Sequence, residues 1–507
     1  MKSTNNTSRQ LSAWHWLTLD RLVTIIVFTA IFAMAIRFPL DTDGWWHLRS
    51  GRWIVENGAI PRVDPFSHTR LGAPWIDHSW LAQLLIYAVY AAGGFGALTV
   101  LVAFLVTIAF AFVWLQCREG ERWLRAFVFF VAAVASGIIW SARPQMISFV
   151  LAAVVAFLLY SFKHGRRRII WGLPLVMLLW ANVHGGFAIG FILIVAYLFG
   201  EVGNLLLGAG SAEDVEAQQL GWGGLRQLII VAILSFLALA LNPNGAQMWL
   251  YPLRTVGIGI LQDFIAEWQP PDFHQLYLHP FIWLLLAALT AFGLAGRRAD
   301  FTDLTLVAVF TYLSLLAVRN VPLFALVLAP IIVHYGTTAI WRLERWKGVA
   351  WPISRERPAS GSRLALNWLL LCLILLASGL YAMQGVQAAG PESANPEDLP
   401  AAAVDYLQEQ QPPGPIFNNY NWGGYLIWRV PEYPVYVDGR TDLFDDALLR
   451  RYLSIYLAER GWREQLDQDA INLVLAEPAS PLARELVQDA GWETLYHDAI
   501  AIVLARR

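Results

Sequence analysis

Long apolar segments recur along the first 390 residues, and they restrict this chain to membrane-spanning folds more than any other feature does. A helix needs about twenty mostly apolar residues to cross a bilayer. Apolar residues make up 57% of the chain and charged residues 15%, whereas soluble domains are about a quarter charged. We therefore predict a polytopic α-helical membrane protein with about eleven transmembrane helices, at 20–37, 95–116, 124–141, 145–162, 168–183, 186–207, 225–242, 277–295, 302–318, 320–341 and 364–384.

The basic residues predict how these helices are oriented. With the N-terminal segment 1–19 in the cytoplasm, eleven spans place the basic clusters of the chain on the cytoplasmic side, at 118–125, 163–168, 297–298 and 342–363. The outer loops after the first one keep three cations, Arg143, Arg254 and Arg319. Because Lys and Arg favour cytoplasmic loops, this distribution supports a multi-pass protein of the plasma membrane.

Segment 80–92 is apolar but short, and it is either a twelfth span or an amphipathic helix at the membrane surface. A twelfth span would move the basic cluster 163–168 to the outer side, against the preference of basic residues for the cytoplasm. We therefore predict an interfacial helix here. It belongs to the first external loop, 38–94, of a transmembrane domain that extends from 20 to 388.

The composition changes near residue 390, where prolines and acidic residues indicate a linker. Beyond it, β-rich runs alternate with helical patterns, a pattern typical of a small sheet covered by helices. The runs are 415–417, 435–437, 471–475 and 499–503, and the helical patterns are 444–458 and 480–490. We predict a soluble α/β domain at 389–507, and an odd number of spans makes it extracytoplasmic.

Charge and cysteine content exclude two other classes of protein. The net charge is -2, and the basic clusters accompany no RNA- or DNA-binding motif, so a nucleic acid is not an expected partner. Cys117 and Cys372 form no C-x-x-C motif and no disulfide framework. The expected partners are the membrane and molecules bound at its surface.

Asp41 and Asp43 directly follow the first predicted span. Carboxylates at a membrane boundary are costly, so a functional role is the default hypothesis. Either aspartate is suited to act as general base toward an acceptor hydroxyl, or to hold Mg²⁺ or Mn²⁺ on a donor phosphate. The alternative is structural, since Asp43 is also placed to cap a short helix on which His47 shares its face.

The three outer cations stand beside polar residues or proline, as in the sequence Arg143-Pro144-Gln145. A guanidinium binds phosphate bidentately and keeps its charge in a dry cleft. Arg143 with Gln145, Arg254 and Arg319 are therefore candidates for binding a lipid phosphate. The alternative for each arginine is a side chain that extends from a helix end toward the headgroups.

Further polar side chains fall on the same predicted side: His47, His78, Asn182 and His184. The glycines after His184 allow a ligand to approach the backbone closely. Such a histidine is either a substrate-binding group or a hydrogen-bonded corner. His47 and His78 lack the spacing of a zinc motif, and we do not predict zinc.

Glu267 lies in the segment 242–276, which is too polar to span the membrane. A long connection of this kind is usually a lid or a binding loop. The Glu267 carboxylate either completes a metal site with Asp43 or is an ordinary solvated surface group.

The position of Asp41-Thr42-Asp43 in the first external loop resembles the GT-C superfamily of membrane glycosyltransferases, which use polyprenyl-phosphate or polyprenyl-pyrophosphate sugars. The wider pattern resembles uncharacterised bacterial relatives of that superfamily, over most of the chain. The segments that carry this resemblance are 43–47, 64–67, 78–81, 143–145 and 438–440. It implies location in the bacterial inner membrane, catalysis by Asp41 or Asp43, and Glu267 as a partner in a late loop. The chain lacks the Trp-Trp-Asp motif with which oligosaccharyltransferases hold an acceptor sequon, so transfer to asparagine is not predicted.

The predicted function is the transfer of a sugar from a polyprenyl-phosphate or pyrophosphate carrier to an acceptor at the outer face of the membrane. The acceptor is a glycan, a lipid or a protein hydroxyl, and the reaction is an inverting displacement with Asp as general base. An arginine or Mg²⁺/Mn²⁺ neutralises the departing phosphate. The alternatives are a transporter and a non-catalytic scaffold whose external domain binds a partner.

Overall fold

A computed structural model describes residues 16–207, 220–347, 361–390 and 399–507. The membrane-domain part of it is helical. Its helices are α1 (Leu19–Met34), α2 (Gly44–Asn57), α3 (Trp80–Trp114), α4 (Arg122–Ser136), α5 (Pro144–Lys163), α6 (Leu173–Val183), α7 (Ala188–Leu206), α8 (Gly221–Ala238), α9 (Gln247–Val256), α10 (Gly259–Phe264), α11 (His279–Ala295), α12 (Phe301–Leu316), α13 (Val321–Lys347) and α14 (Gly361–Gln387).

Eight helices in the described ranges are long and apolar enough to cross a membrane. The remaining three predicted spans correspond to the shorter helices Leu19–Met34, Ile169–Val183 and Phe301–Leu316. Each of the eleven predicted segments thus coincides with a helix. The prediction of a polytopic α-helical membrane protein is confirmed.

Helix α3 consists of two helical parts that meet at Gly93 and Gly94. Gly93 has φ -159° and ψ 23°, and Gly94 has φ 65° and ψ -156°, both outside the helical region. Glycine adopts the positive φ at little cost because it has no Cβ. Segment 80–92 is therefore a separate helix that changes direction before the span begins, and its interfacial position remains a prediction.

The alternating helix directions produce two chemically different ends. At one end, which we call the Asp41 end, α1, α6 and α12 finish and α5 and α13 begin. The opposite, basic end carries the clusters 118–125, 163–168 and 297–298. Helix α13 is the most buried of the eight long helices and packs against α4, α11 and α12.

The predicted loop 242–276 is largely helical. It contains α9 and α10, followed by the short 3-10 helices Ala266–Trp268 and Leu276–Leu278. The backbone N–H of Val318 donates a hydrogen bond to the carbonyl oxygen of Gln269 at 3.0 Å. This bond fixes the segment that carries Glu267 beside the start of α13.

The C-terminal residues form the predicted small α/β domain. Its sheet has the order β1-β2-β4-β3, with β1 and β2 parallel and the other pairs antiparallel. Its elements are α15 (Ala401–Gln410), β1 (Ile416–Asn418), α16 (Gly423–Arg429), α17 (Thr441–Tyr456), α18 (Trp462–Gln468), β2 (Leu473–Ala476), α19 (Pro481–Val487), β3 (Trp492–His497) and β4 (Ile502–Arg506). Of the predicted linker, residues 391–398 lie outside the described part of the chain.

One strand prediction for this domain was wrong, and one strand was missed. Segment 435–437 is not part of the sheet, because the backbone of Val435 pairs with the external loop: its N–H donates to Phe66 and its carbonyl accepts from His68. Strand β3, which pairs with β4 in a hairpin, was not predicted. The alternating pattern identified a β-rich domain but not the partner of each segment.

Candidate active site

Asp41 lies in the first external loop, just before the start of α2. Its Oδ1 accepts a hydrogen bond from the backbone N–H of Gly44 at 2.9 Å, so Asp41 provides the side-chain capping contact that was predicted for Asp43. Its Oδ2 accepts from Ser141 Oγ at 2.9 Å and from Arg143 Nη1 at 3.0 Å. Both oxygens of Asp41 are therefore engaged within the protein.

Arg143 lies at the centre of three carboxylates. It precedes Pro144 and has the extended conformation that a following proline favours, with φ -116° and ψ 156°. Nη1 lies 3.0 Å from Asp41 Oδ2, 3.3 Å from Asp43 Oδ2 and 3.1 Å from Glu267 Oε1. We call these four side chains the Arg143 cluster.

The second guanidinium nitrogen completes the contacts of Arg143. Nη2 donates to Gln145 Oε1 at 2.7 Å and to Glu267 Oε2 at 3.4 Å. The Arg143 side chain is 11% exposed, whereas those of Asp41, Asp43 and Glu267 are 37, 29 and 42% exposed. The carboxylates are thus partly buried, with one side open to solvent, and the guanidinium lies beneath them.

Asp43 has the most perturbed carboxyl of the cluster. Burial raises the pKa of Asp43 to about 7; Arg143 opposes this shift, and Asp41 and Glu267 add to it. A single indole N–H, from Trp46, donates to Oδ1 at 3.3 Å. Asp43 is therefore the carboxylate best suited to exchange a proton near neutral pH.

The pKa of Glu267 is shifted in the opposite direction from that of Asp43. Burial raises the pKa of Glu267, but the charges of Arg143 and Arg319 outweigh it, so the pKa lies below the ordinary value. Glu267 is consequently a permanent anion that holds Arg143 in place.

Arg319 is a second cation at this site. It is half-buried, and its guanidinium lies 4.4 Å from the centre of the Trp268 ring. Within the described ranges the guanidinium forms neither a hydrogen bond nor an ion pair. Its five N–H donors are thus available to an anion.

His78 belongs to a hydrogen-bonded chain that reaches the C-terminal domain. The Tyr251 hydroxyl lies 2.6 Å from His78 Nδ1 and donates to Asp442 Oδ2 at 3.2 Å. The sequence analysis did not single out Tyr251 or Asp442 as site residues. The signal for Asp442 was the polar segment 438–442, whereas nothing distinguished Tyr251 from other aromatic residues.

The other two histidines are packed inside the protein. His184 Nδ1 accepts from the N–H of Gly186 at 3.1 Å and lies 2.8 Å from Ser148 Oγ. The His47 ring contacts Trp46 at a tilt of 33°, with 3.5 Å between ring centroids. Burial lowers the pKa of both imidazoles well below the ordinary value, so they are neutral.

Two predicted site residues are placed differently. Asn182 uses its amide internally: Oδ1 accepts from Trp80 and Asn242, and Nδ2 donates to the carbonyl of Leu178. Arg254 is exposed on α9 and forms no ion pair within the described residues. The structure therefore does not bring either side chain into the Arg143 cluster.

The C-terminal domain packs directly on the aspartates. A Cβ at Gly439 would lie 1.8 Å from Asp43 Oδ1, so only glycine allows this approach. Beside it, Arg440 is fully buried and forms ion pairs with Asp438 and with Asp64 of the external loop. The domain thus lies at the Asp41 end and closes one side of the site.

No protein-family model and no curated protein matches this chain. Among solved structures, the chain resembles the Archaeoglobus fulgidus oligosaccharyltransferase tethered with an acceptor peptide containing the NVT sequon, at 13% identity and a TM-score of 0.58. This match covers 97% of this chain and 74% of that one.

Two further structures of an oligosaccharyltransferase from Archaeoglobus fulgidus also match at 13% identity. The complex of oligosaccharyltransferase AglB with an inhibitory peptide and a dolichol-phosphate has a TM-score of 0.56 and covers 90% of this chain and 69% of that one. The complex with Zn and sulfate has a TM-score of 0.53 and covers 90% and 68%. The fold that the GT-C resemblance predicts is thereby confirmed.

Proposed function

We propose that this protein is a membrane glycosyltransferase that transfers a sugar from a polyprenyl-phosphate or pyrophosphate carrier to an acceptor hydroxyl. The observation that carries the proposal is Asp43 of the Arg143 cluster, a carboxyl with a pKa of about 7, in a site that also contains Arg319, whose guanidinium forms no hydrogen bond or ion pair within the described ranges. The likeness of fold to an enzyme solved with dolichol-phosphate supports a lipid-linked donor.

Asp43 acts as the general base. It accepts the proton of the acceptor hydroxyl while that oxygen forms a bond to the anomeric carbon. The bond from the same carbon to the carrier phosphate breaks, and the phosphate leaves with the electron pair. One displacement inverts the anomeric configuration. Asp41 does not share this role because its oxygens accept from Gly44, Ser141 and Arg143.

Arg319 binds the carrier phosphate and stabilises the negative charge that develops on it. Its guanidinium is already fixed over Trp268, so it loses little conformational freedom when the donor binds. The guanidinium of Arg143 is already paired with three carboxylates and holds them in position. We assign the phosphate to Arg319 for this reason.

The acceptor is a hydroxyl of a glycan, lipid or protein. A carboxylate base matches a hydroxyl nucleophile, and the Trp-Trp-Asp motif that would accompany an asparagine acceptor is missing from the chain. The C-terminal domain contributes Gly439 and Asp442 beside the site. It is therefore the part of the chain best placed to select the acceptor.

The reaction takes place at the outer face of the bacterial inner membrane. The basic clusters lie at the end of the helices opposite the Arg143 cluster, and basic ends face the cytoplasm. A single cysteine placed at an exposed position of the C-terminal domain, such as Gln488, tests this orientation. We expect it to react with a membrane-impermeant reagent in intact cells.

The expected Mg²⁺ or Mn²⁺ does not fit the residues at this site. The carboxylates that would coordinate it converge on Arg143, and the described ranges contain no group of three or more His, Cys, Asp or Glu side chains that could hold a metal ion. Charge neutralisation in the proposed reaction is therefore assigned to the arginines.

Mass spectrometry of lipid extracted from the purified protein tests the proposal. We expect a polyprenyl phosphate, with or without its sugar, and we expect synthetic polyprenyl-phosphate hexoses to be consumed in the presence of acceptor extracts. Purified protein that carries no isoprenoid phosphate and instead moves a labelled solute across vesicles would identify a transporter. Stoichiometric protein partners without donor turnover would identify a scaffold.

A further inference from the structure

The three carboxylates of the Arg143 cluster converge on one position, which a guanidinium nitrogen occupies. Asp41 and Asp43 come from the first external loop, and Glu267 comes from a 3-10 helix that is distant in the sequence. All three place an oxygen within 3.3 Å of one atom, Arg143 Nη1. Oxygens that converge in this way are the ligands that Mg²⁺ and Mn²⁺ prefer.

The guanidinium and a metal ion exclude each other from this position. Metal–oxygen distances are about 2.1 Å, so an ion held by these carboxylates would occupy the space of Nη1. Arginine does not lose its proton in proteins, and a displaced guanidinium would lie buried beside a divalent ion. The repulsion between two such cations at short range opposes metal binding.

Several contacts keep Arg143 from moving away. Its backbone is restricted by Pro144, and Nη2 is held by Gln145 at 2.7 Å and by Glu267 at 3.4 Å. Ser141 fixes the Asp41 carboxylate from the other side at 2.9 Å. The chain therefore builds both the carboxylate cage and the cation that fills it.

We propose that Arg143 takes the place of a divalent metal ion in this site, so that the protein binds no metal there and transfers sugar without one. The statement that sugar transfer needs no metal rests on the proposed function. The statement that no metal binds concerns only Arg143 and the three carboxylates around it, and it is independent of any donor or acceptor.

Binding of Mn²⁺ to purified protein, measured by electron paramagnetic resonance, tests the inference. Wild-type protein should show no saturable site. Arg143→Ala should gain roughly one Mn²⁺ per chain, because it removes the cation and leaves the cage. Arg143→Ala/Glu267→Gln should lose that gain. Arg254→Ala, which also removes an arginine on the same side of the protein, should behave as wild type.

Two further measurements keep the inference falsifiable if Arg143→Ala does not fold. Arg143→Lys retains a cation in the cage and should remain free of Mn²⁺. Saturable Mn²⁺ binding to wild type that disappears in Asp43→Asn would overturn the inference, as would a wild-type activity that EDTA abolishes and Mn²⁺ restores. Because Mn²⁺ binding is read without sugar transfer, failure of the proposed function would not be mistaken for failure of this inference.

Discussion

Each end of the helices carries a cluster in which a cation is paired with carboxylates, and the two clusters differ in their exposure to solvent. At the basic end, Lys163 lies between Glu201 and Asp300, with 2.7 Å from its Nζ to Asp300 Oδ2. We call these three residues the Lys163 cluster. Its Glu201 side chain is fully buried and its Lys163 side chain is 9% exposed, whereas the carboxylates of the Arg143 cluster are 29 to 42% exposed.

The clusters also differ in how completely their polar groups are paired. Glu201 accepts hydrogen bonds from Lys163, Asn204 and Thr302, and from the backbone N–H of Leu220. At the other end, Asp43 has a pKa near 7, and Arg319 lacks a polar partner among the described residues. A buried cluster whose polar groups are all hydrogen-bonded joins helices to one another. A partly exposed cluster with a perturbed pKa and an unpaired guanidinium nearby is suited to bind a substrate and to take part in a reaction.

The largest expected effect comes from replacing the proposed base. Asp43→Asn removes the proton acceptor while keeping the size of the side chain, and general bases contribute about 10²–10⁴-fold to rates. We expect transfer to fall by this factor, with membrane insertion and thermal stability unchanged. Asp272→Asn, an exposed aspartate of the segment 242–276, is the control. Full activity in Asp43→Asn would remove Asp43 from the mechanism and weaken the contrast between the clusters.

Replacement of Lys163 should give the reverse outcome. Lys163→Ala leaves Glu201 and Asp300 buried without their cation, and breaking a buried ion pair costs about 3–5 kcal/mol. We expect a lower unfolding temperature in detergent, with unchanged transfer per folded molecule. Arg166→Ala, at an exposed position near the same helix end, should change stability little. A loss of transfer without loss of stability would show that both clusters are functional.

Most of the fold was predictable from the sequence because a bilayer dictates the length and composition of each span. The helices of the segment 242–276 were missed because its prolines and polar residues suggested a loop. The true partner of Val435 is Ser67, far away in the sequence, and a local strand pattern does not encode such a pairing.

The site was predictable in its residue types but not in its division of roles. Asp41, Asp43, Arg143 and Gln145 were named from their position beside predicted span ends, and Glu267 from its place in the polar outer segment 242–276. That Asp41 rather than Asp43 caps α2 depends on the local backbone geometry, and that Arg143 lies among the three carboxylates depends on distances of about 3 Å between segments remote in sequence. A sequence pattern carries no such distances.

The pH dependence of transfer tests the assignment of the general base to Asp43. Because burial raises the pKa of Asp43 to about 7, the ionised base predominates above that pH and is lost below it. We expect kcat/KM to rise about tenfold per pH unit up to about pH 7 and then to level off. The residual activity of Asp43→Asn should not show this rise of kcat/KM with pH. A limb centred near pH 4 would instead assign the base to a carboxyl with an ordinary pKa.

The smallest expected effect compares two arginines that were equivalent in the sequence. Arg319→Ala removes a half-buried cation that has Trp268 on one face and Glu267 nearby, whereas Arg254→Ala removes an exposed one. A hydrogen bond to a charged group contributes about 1.5 kcal/mol or more, so KM for a polyprenyl-phosphate hexose should rise roughly tenfold in Arg319→Ala and stay unchanged in Arg254→Ala. Arg319→Lys should recover part of the loss, because it restores the charge but not the bidentate contact. Equal effects of the two alanine variants would mean that exposure and packing do not distinguish the phosphate-binding arginine, and the assignment of Arg319 would then fail.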